Sequence, residues 1–341
     1  MAENPPGLKD MTESFSLTEG CCTVICTADW HGSWHFDLYL RKRRRCAGIF
    51  PGKKPTKLCV KESGKGVYNM FSIIVVSLNP GEKLIETMNS IRMQSFTDYQ
   101  VVVKDGGSKD GSMDRLRNWL SEASDMDAKV LIVEEKDRSI YDGMNQAAEK
   151  AKGEYFYFLN CGDYFAHERS LQEMAEGIRE HRIKGGESLI FYGDIYDALR
   201  EQVVPSNPRM DDFACYRNVP CHQACIYHHS LFKERGYKPE YKVRGDYEHF
   251  LWSYFCKKAS PQYIKVTLAR YEGGGFSETK ENRRRSAKEH KEITALYMSR
   301  GQLFRYRMIM LLTLAPLRTK MAESPAMAGV YNFVKKMLYR R

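Results

Sequence analysis

The chain of 341 residues is 43% hydrophobic and 28% charged, with a net charge of +10. Such a chain can bury a substantial core as one large domain or two smaller ones, and its composition is that of an ordinary soluble globular protein, so neither figure selects a function. Its ten cysteines include no CxxC pair, which excludes paired ligands of the zinc-finger kind. The first 30 residues lack a basic start followed by an apolar stretch, so the expectation is a cytoplasmic protein with reduced thiols.

Residues 1–69 differ from the rest. They hold half of the cysteines and a basic run, Arg41 to Arg45, with little sustained periodicity. Such a run could contact nucleic acid but is more often a solvated cluster, and no nucleic-acid partner is expected. Met70 stands immediately before a clean strand, 71–77. The reading is that Met70 is the true start and that 1–69 is a poorly ordered N-terminal extension.

From 71 an alternation begins. The strand at 71–77 is followed by a helix near 81–94 with Leu84, Ile85, Met88 and Ile91 on one stripe. A strand at 99–103 precedes a helix near 112–122, with Met113, Leu116 and Leu120 at helical spacing. A strand at 129–133 precedes a helix near 140–151 that turns Met144, Ala147, Ala148 and Ala151 inward, and a fourth strand follows at 155–159. Short β-branched or aromatic runs between amphipathic helices predict βαβ units and a mostly parallel sheet.

In such a sheet ligands bind beyond the carboxyl ends of the strands. Those ends read Ser77-Leu78-Asn79-Pro80, Asp105-Gly106-Gly107-Ser108, Glu135-Lys136-Asp137-Arg138 and Asn160-Cys161-Gly162-Asp163. Turn formation explains any one of them, but it does not require an acid on three of the four. No GxGxxG follows the first strand and no GxxxxGK[ST] occurs, which disfavours a dinucleotide fold and excludes a P-loop. A nucleotide would then be held by carboxylates and a divalent cation, Mg²⁺ or Mn²⁺, bridging to the substrate's own phosphates.

The order SLNP, VVVKDGGSKDGS, EEKDRSIYDGMNQAAEKAKGEYFYFLNCGD, CHQA, RGDYEHFLW and GGGFS resembles glycosyltransferase family 2, in particular bacterial exopolysaccharide and lipopolysaccharide transferases with IYDAMN and FLNSGD motifs. The resemblance runs from about 71 to 277. It implies a GT-A α/β fold, a catalytic domain over 70–277 and a basic helical C-terminal extension over 278–341. It also implies a nucleotide-sugar donor, UDP being the nucleotide this family uses most, and a saccharide or lipid-linked acceptor.

The site residues follow from the same resemblance. Ser77, Leu78 and Asn79 match the first nucleotide-contacting turn. Asp105 matches the first acid of a DDGS motif, Gly106 standing where the second acid usually is. Asn145 matches an Asn ahead of the metal-binding strand. Asp163 matches the last acid of the DxD-type metal motif, with Gly162 in place of the acid before it. Asp246 matches the catalytic base, with Gly245 in place of the Glu of an ED pair; Asp246 could equally cap a helix beginning near Tyr247. Asn160, His222, Gln223, Gly274 and Ser277 fall in the donor or acceptor pocket. Zinc bound by Cys221, Cys225 and the nearby histidines is disfavoured, because a strand turns alternate residues to opposite faces.

The tail carries the charge. From Ser277 onward 15 basic residues face 5 acidic ones, an excess equal to that of the whole chain. A charged helix is predicted over 281–300, followed by an apolar run, Met308 to Leu317, far too short to span a bilayer. It either packs on the catalytic domain or lies at an anionic membrane surface on the cytoplasmic side. Two other functions compete. A sugar-phosphate nucleotidyltransferase would want a glycine-rich start at the first strand, which SLNP does not supply. A non-catalytic carbohydrate- or nucleic-acid-binding protein would draw on the basic segments, but acids on the predicted rim repel phosphates unless a metal intervenes.

Overall fold

A computed structural model of the chain describes residues 69–186, 188–273 and 279–312 in full, and residues 15–19, 22–28 and 34–39 by backbone alone. The chain divides into two units, residues 1–63 and 64–341. In the first, strands β1 (Phe15–Glu19), β2 (Cys22–Ala28) and β3 (Trp34–Tyr39) form an antiparallel meander in that order. The expectation of poor order for 1–69 otherwise concerns residues outside the described ones, the Arg41–Arg45 run among them.

The second unit begins as its periodicity predicts. The order is β4 (Phe71–Ser77), α1 (Lys83–Arg92), β5 (Tyr99–Asp105), α2 (Ser112–Glu122), a short α3 (Ser124–Asp127), β6 (Val130–Glu134), α4 (Ile140–Lys150) and β7 (Tyr155–Phe158). Both faces of β4, β5 and β7 are buried, so those runs are almost wholly apolar, while β6 is the edge strand with Leu131 and Glu134 exposed. Ile73, Val75, Val101 and Val103 join Leu84, Met88, Ile91 and Leu116 in one core layer. Ile74, Val102, Phe156 and Phe158 join Met144 and Ala147 in the other. The alternation by two in the strands meets the three-to-four spacing of the helices, and the sheet is covered on both sides.

The chain continues through β8 (Tyr164–Phe165), α5 (Ser170–Ile183), β9 (Ile190–Asp197), β10 (Gln202–Val204), α6 (Asp212–Arg217), a 3₁₀ turn (His222–Ala224), β11 (Cys225–His228), α7 (His229–Glu234), α8 (Gly245–Phe255), β12 (Gln262–Tyr271), α9 (Lys280–Tyr297) and α10 (Arg300–Leu312). The sheet order is β6-β5-β4-β7-β11-β9-β12-β8, with β10 also paired to β9. The parallel prediction holds for β4 to β7. Beyond them the sheet is mixed, because the four-residue β11 enters antiparallel between β7 and β9, bonded to both. Helix α8 starts at Gly245, so Asp246 lies inside its first turn; the capping position is Arg244, whose side chain makes no cap bond. Among the described residues no helix is long and apolar enough to cross a membrane.

Candidate active site

The order β6-β5-β4-β7 reverses direction at β4: the chain builds outward from β4 to β6, then returns to place β7 on the other side of β4. In an open α/β sheet such a switch point opens a crevice beyond the strand ends. A cavity of about 540 Å³ lies there, reached by Val76 at the end of β4 and by Asn160 to Asp163 after β7. The 3₁₀ turn contributes Cys221, His222 and Gln223 to its wall, α4 contributes Tyr141 and Met144, and α8 contributes Asp246.

Asp163 is buried, with 7% of its surface exposed. Gln223 Nε2 donates to its Oδ2 at 2.7 Å, and Thr87 ties down the backbone, accepting from Gly162 N and donating to the Asp163 carbonyl. Burial pushes the carboxyl up to about 6, opposed by the Gln223 bond. A buried acid whose ionised form is this costly is suited to meet a positive charge.

Asp246 accepts a bond from the Tyr141 hydroxyl to Oδ1 at 2.9 Å. The segment leading to it has no regular structure. Glu289, buried on α9, holds that segment by accepting from the backbone N–H groups of Lys242, Val243 and Arg244 at 2.8–3.0 Å. Arg244 also donates to Ser286 Oγ on α9 and to Asn218 Oδ1, at 2.7 and 2.9 Å. Helix α9, expected to belong to an extension, thus forms part of the wall.

Five of the predicted residues therefore share one cavity: Asn160, Asp163, His222, Gln223 and Asp246. Both ring nitrogens of His222 and Asn160 Oδ1 are shielded from solvent with no partner. Burial lowers the His222 pKa, with the Asp246 charge opposing, so the ring is neutral.

Ser77, Leu78, Asn79 and Asp105 sit on the neighbouring rim, where the β4 and β5 loops are tied together. Asn79, at φ 48°, accepts from Lys109 N and donates its own N–H to Ser108 Oγ. Asp105 Oδ2 accepts from Gly107 N and Ser108 N, and its Oδ1 accepts from Ser108 Oγ. Leu78 is exposed, and Ser77 Oγ is buried without a partner. Asn145 uses both ends of its amide on the backbone of Tyr237, at 2.7 and 2.8 Å, and so fastens α4 to the segment before α8. Gly274 and Ser277 lie outside the described residues.

Each glycine that stands where the motif has an acid is met by another side chain. A Cβ on Gly106 would come within 2.7 Å of Asp137 Oδ2, which is itself paired with the buried Lys104 at 3.0 Å. Gly162 has φ 95°, a backbone that disfavours an L side chain, and a Cβ there would stand 3.3 Å from the Lys83 stem. A Cβ on Gly245 would meet the Tyr141 ring at 2.8 Å. Tyr141 is visible in the IYDGMN motif, but neither it nor Lys83 was singled out by the sequence reading. Glu289 carries no local signal at all.

Among the described residues no group of three or more His, Cys, Asp or Glu stands together as a metal site. The cavity wall instead carries three separate acids, Asp163, Asp246 and Glu272, with the unpartnered Asn160 Oδ1 close in sequence to Asp163. That set fits a hard cation held jointly with substrate phosphates, and does not fit a metal caged by protein alone.

A nucleotide-sugar-transferase type of α/β sheet with three acids in its switch-point cavity is the class these features define. The model for Glycosyl transferase family 2 matches residues 72–234. A PGL/p-HBAD biosynthesis glycosyltransferase of Mycobacterium bovis is 30% identical over 212 residues, which cover 62% of this chain and 80% of the relative. Among solved structures, the mannosyltransferase PcManGT of Pyrobaculum calidifontis, in complex with GDP-Man and Mn²⁺, matches with a TM-score of 0.54 at 16% identity, over 80% of this chain and 81% of that one. The 1–349 portion of S. aureus TarS in complex with UDP-GlcNAc matches with a TM-score of 0.52 at 19% identity, over 68% of each chain; of a longer TarS chain the share covered is 36%. The chain belongs to glycosyl transferase family 2. It is a glycosyltransferase of GT-A fold, as its motif order implies.

Proposed function

We propose that the protein transfers one sugar from a nucleotide-diphosphate sugar, UDP being the preferred nucleotide, to a hydroxyl of a saccharide or lipid-linked acceptor in cell-surface polysaccharide biosynthesis. The observation that carries this reading is the pair of carboxylates, Asp163 and Asp246, delivered to one cavity by separate elements. Asp163, with Asn160, would hold a divalent cation together with the donor's diphosphate, and the chemistry such a cation would supply there is neutralisation of charge on the leaving group. Asp246 takes the proton of the acceptor hydroxyl as it attacks, a contribution of typically 10²–10⁴-fold. Attack on the face of the sugar opposite the diphosphate inverts the anomeric centre. The structures solved with UDP-GlcNAc and with GDP-Man support a nucleotide-sugar donor and keep both bases in the test.

Release of nucleotide diphosphate from UDP-glucose, UDP-galactose, UDP-GlcNAc and GDP-mannose, with and without Mn²⁺, tests the reading. Turnover by the wild type that falls at least about 100-fold in Asp246→Asn, and is lost in Asp163→Ala, is expected. Binding of sugars without turnover of any donor would favour a carbohydrate-binding protein.

The C-terminal helices support contact with the inner face of the membrane. Phe304, Met308, Leu311 and Leu312 are exposed on α10, with Arg300, Arg305 and Arg307 among them, while Tyr306 packs inward against Phe213 and Tyr216. An exposed apolar stripe flanked by arginines suits an anionic lipid surface. Co-sedimentation with phosphatidylglycerol vesicles at low salt, lost in Phe304→Ser/Leu311→Ser, is the expected result; protein left in the supernatant would end the idea.

A further inference from the structure

We propose that Tyr141 is the positioning residue for Asp246, taking over a place that residue 245 leaves empty. This inference rests on the reading of Asp246 as the base. Tyr141 is the second residue of α4, a helix whose start is fixed from two sides. Ser139 Oγ accepts from Asp142 N, and Arg138 donates Nε and a terminal nitrogen to the Asp142 carboxylate at 3.0 Å each. The Tyr141 ring is buried and packs against the Tyr237 ring at 5.3 Å between centroids.

Its hydroxyl lies 2.9 Å from both the Val243 carbonyl and Asp246 Oδ1. It has one proton for two acceptors, and the charged oxygen is the stronger of them. The Oδ1 contact leaves Oδ2 to receive a proton. Glycine at 245 is what makes the arrangement fit, since the ring carbons Cδ2 and Cε2 stand 2.8 Å from where a Cβ would be. A larger residue there would drive the ring, and with it the hydroxyl, off the carboxylate. The other titratable groups whose charge states respond to Asp246 are His222 and Cys221 on the 3₁₀ side, Cys225 and Tyr227 on β11, and Tyr237.

A purely structural tyrosine would act on stability alone, so the test reads turnover and the carboxylate itself. On whichever donor of the panel the wild type turns over, Tyr141→Phe should lower kcat about tenfold with donor KM unchanged, as for an interaction that matters in the transition state. Gly245→Ala, which keeps the hydroxyl but crowds the ring, should lower kcat in the same way. In protein labelled with carboxyl-¹³C aspartate, the Asp246 resonance is the one missing from Asp246→Asn, and loss of the Tyr141 hydroxyl should displace it. An unmoved resonance in Tyr141→Phe, or a displaced resonance with unchanged kcat, overturns the proposal. A displaced resonance in an enzyme whose wild type releases nucleotide from no donor supports the contact and counts instead against the transferase chemistry.

Discussion

The cavity is enclosed by two regions built on different principles. On the β4–β7 side, position follows from repetition: parallel strands in fixed register, with Ile74 opposite Val102 and Phe158, carry their loop residues to a common rim because the pleat and the ladder leave no other choice. On the α8–α9 side, position depends on single contacts between segments far apart in sequence. Residues 242–244 are held by one carboxylate 45–47 residues away, and Asp246 by one hydroxyl 105 residues away. The first region should tolerate substitutions that leave the pattern intact. The second should fail at individual residues.

The sharpest test of that contrast is Glu289→Ala. It leaves three part-buried N–H groups of residues 242–244 without their acceptor, so a loss of about 2 kcal/mol in denaturant unfolding is expected, with turnover falling because Asp246 is two residues beyond Arg244. An unfolding midpoint equal to the wild type's would mean that the wall is held by something else.

Asp163→Asn, on the sheet side, should act in the opposite direction. Its carboxyl is raised by burial from the ordinary 3.8 to about 6, so the folded state keeps a proton between those values that the unfolded chain has already lost. The strain of an ionised buried acid is therefore present above pH 6 and relieved as the pH falls from 6 towards 4. Asp163→Asn should stabilise the ligand-free protein by about 2 kcal/mol at pH 8, discounted from the full shift, and be neutral at pH 4; equal effects at both would refute it. The smallest change expected is from deletion of residues 1–69, which should leave turnover and melting temperature as they are. An inactive protein starting at Met70 would show that the sheet side needs more than its own strands.

The same contrast decides what could be read from sequence. The strands at 71–77 and 130–134, and the helices at 112–122 and 140–150, lie within a residue or two of their predicted bounds, because period and apolar content act locally. The motif order led to the family and to Asp163 and Asp246. The meander at 15–39 gave no comparable signal, and the antiparallel entry of β11 depends on which strands flank it. Asn145 came from its motif place, and the bonds of its amide to the backbone of Tyr237, 92 residues on, carry no signal in the local sequence. Gly106, Gly162 and Gly245 read as lost acids. Only the fold reveals the Asp137, Lys83 and Tyr141 side chains that occupy the vacated space.

Helix α9 has its own consequence. With 18 residues it is a rod of roughly 27 Å, gripping the segment before Asp246 near its middle and leading at its end into α10 and that helix's exposed apolar stripe. A force that tilts α10 has a short, stiff route to the mouth of the cavity. A surface that received that stripe would therefore gain leverage over the wall beside Asp246.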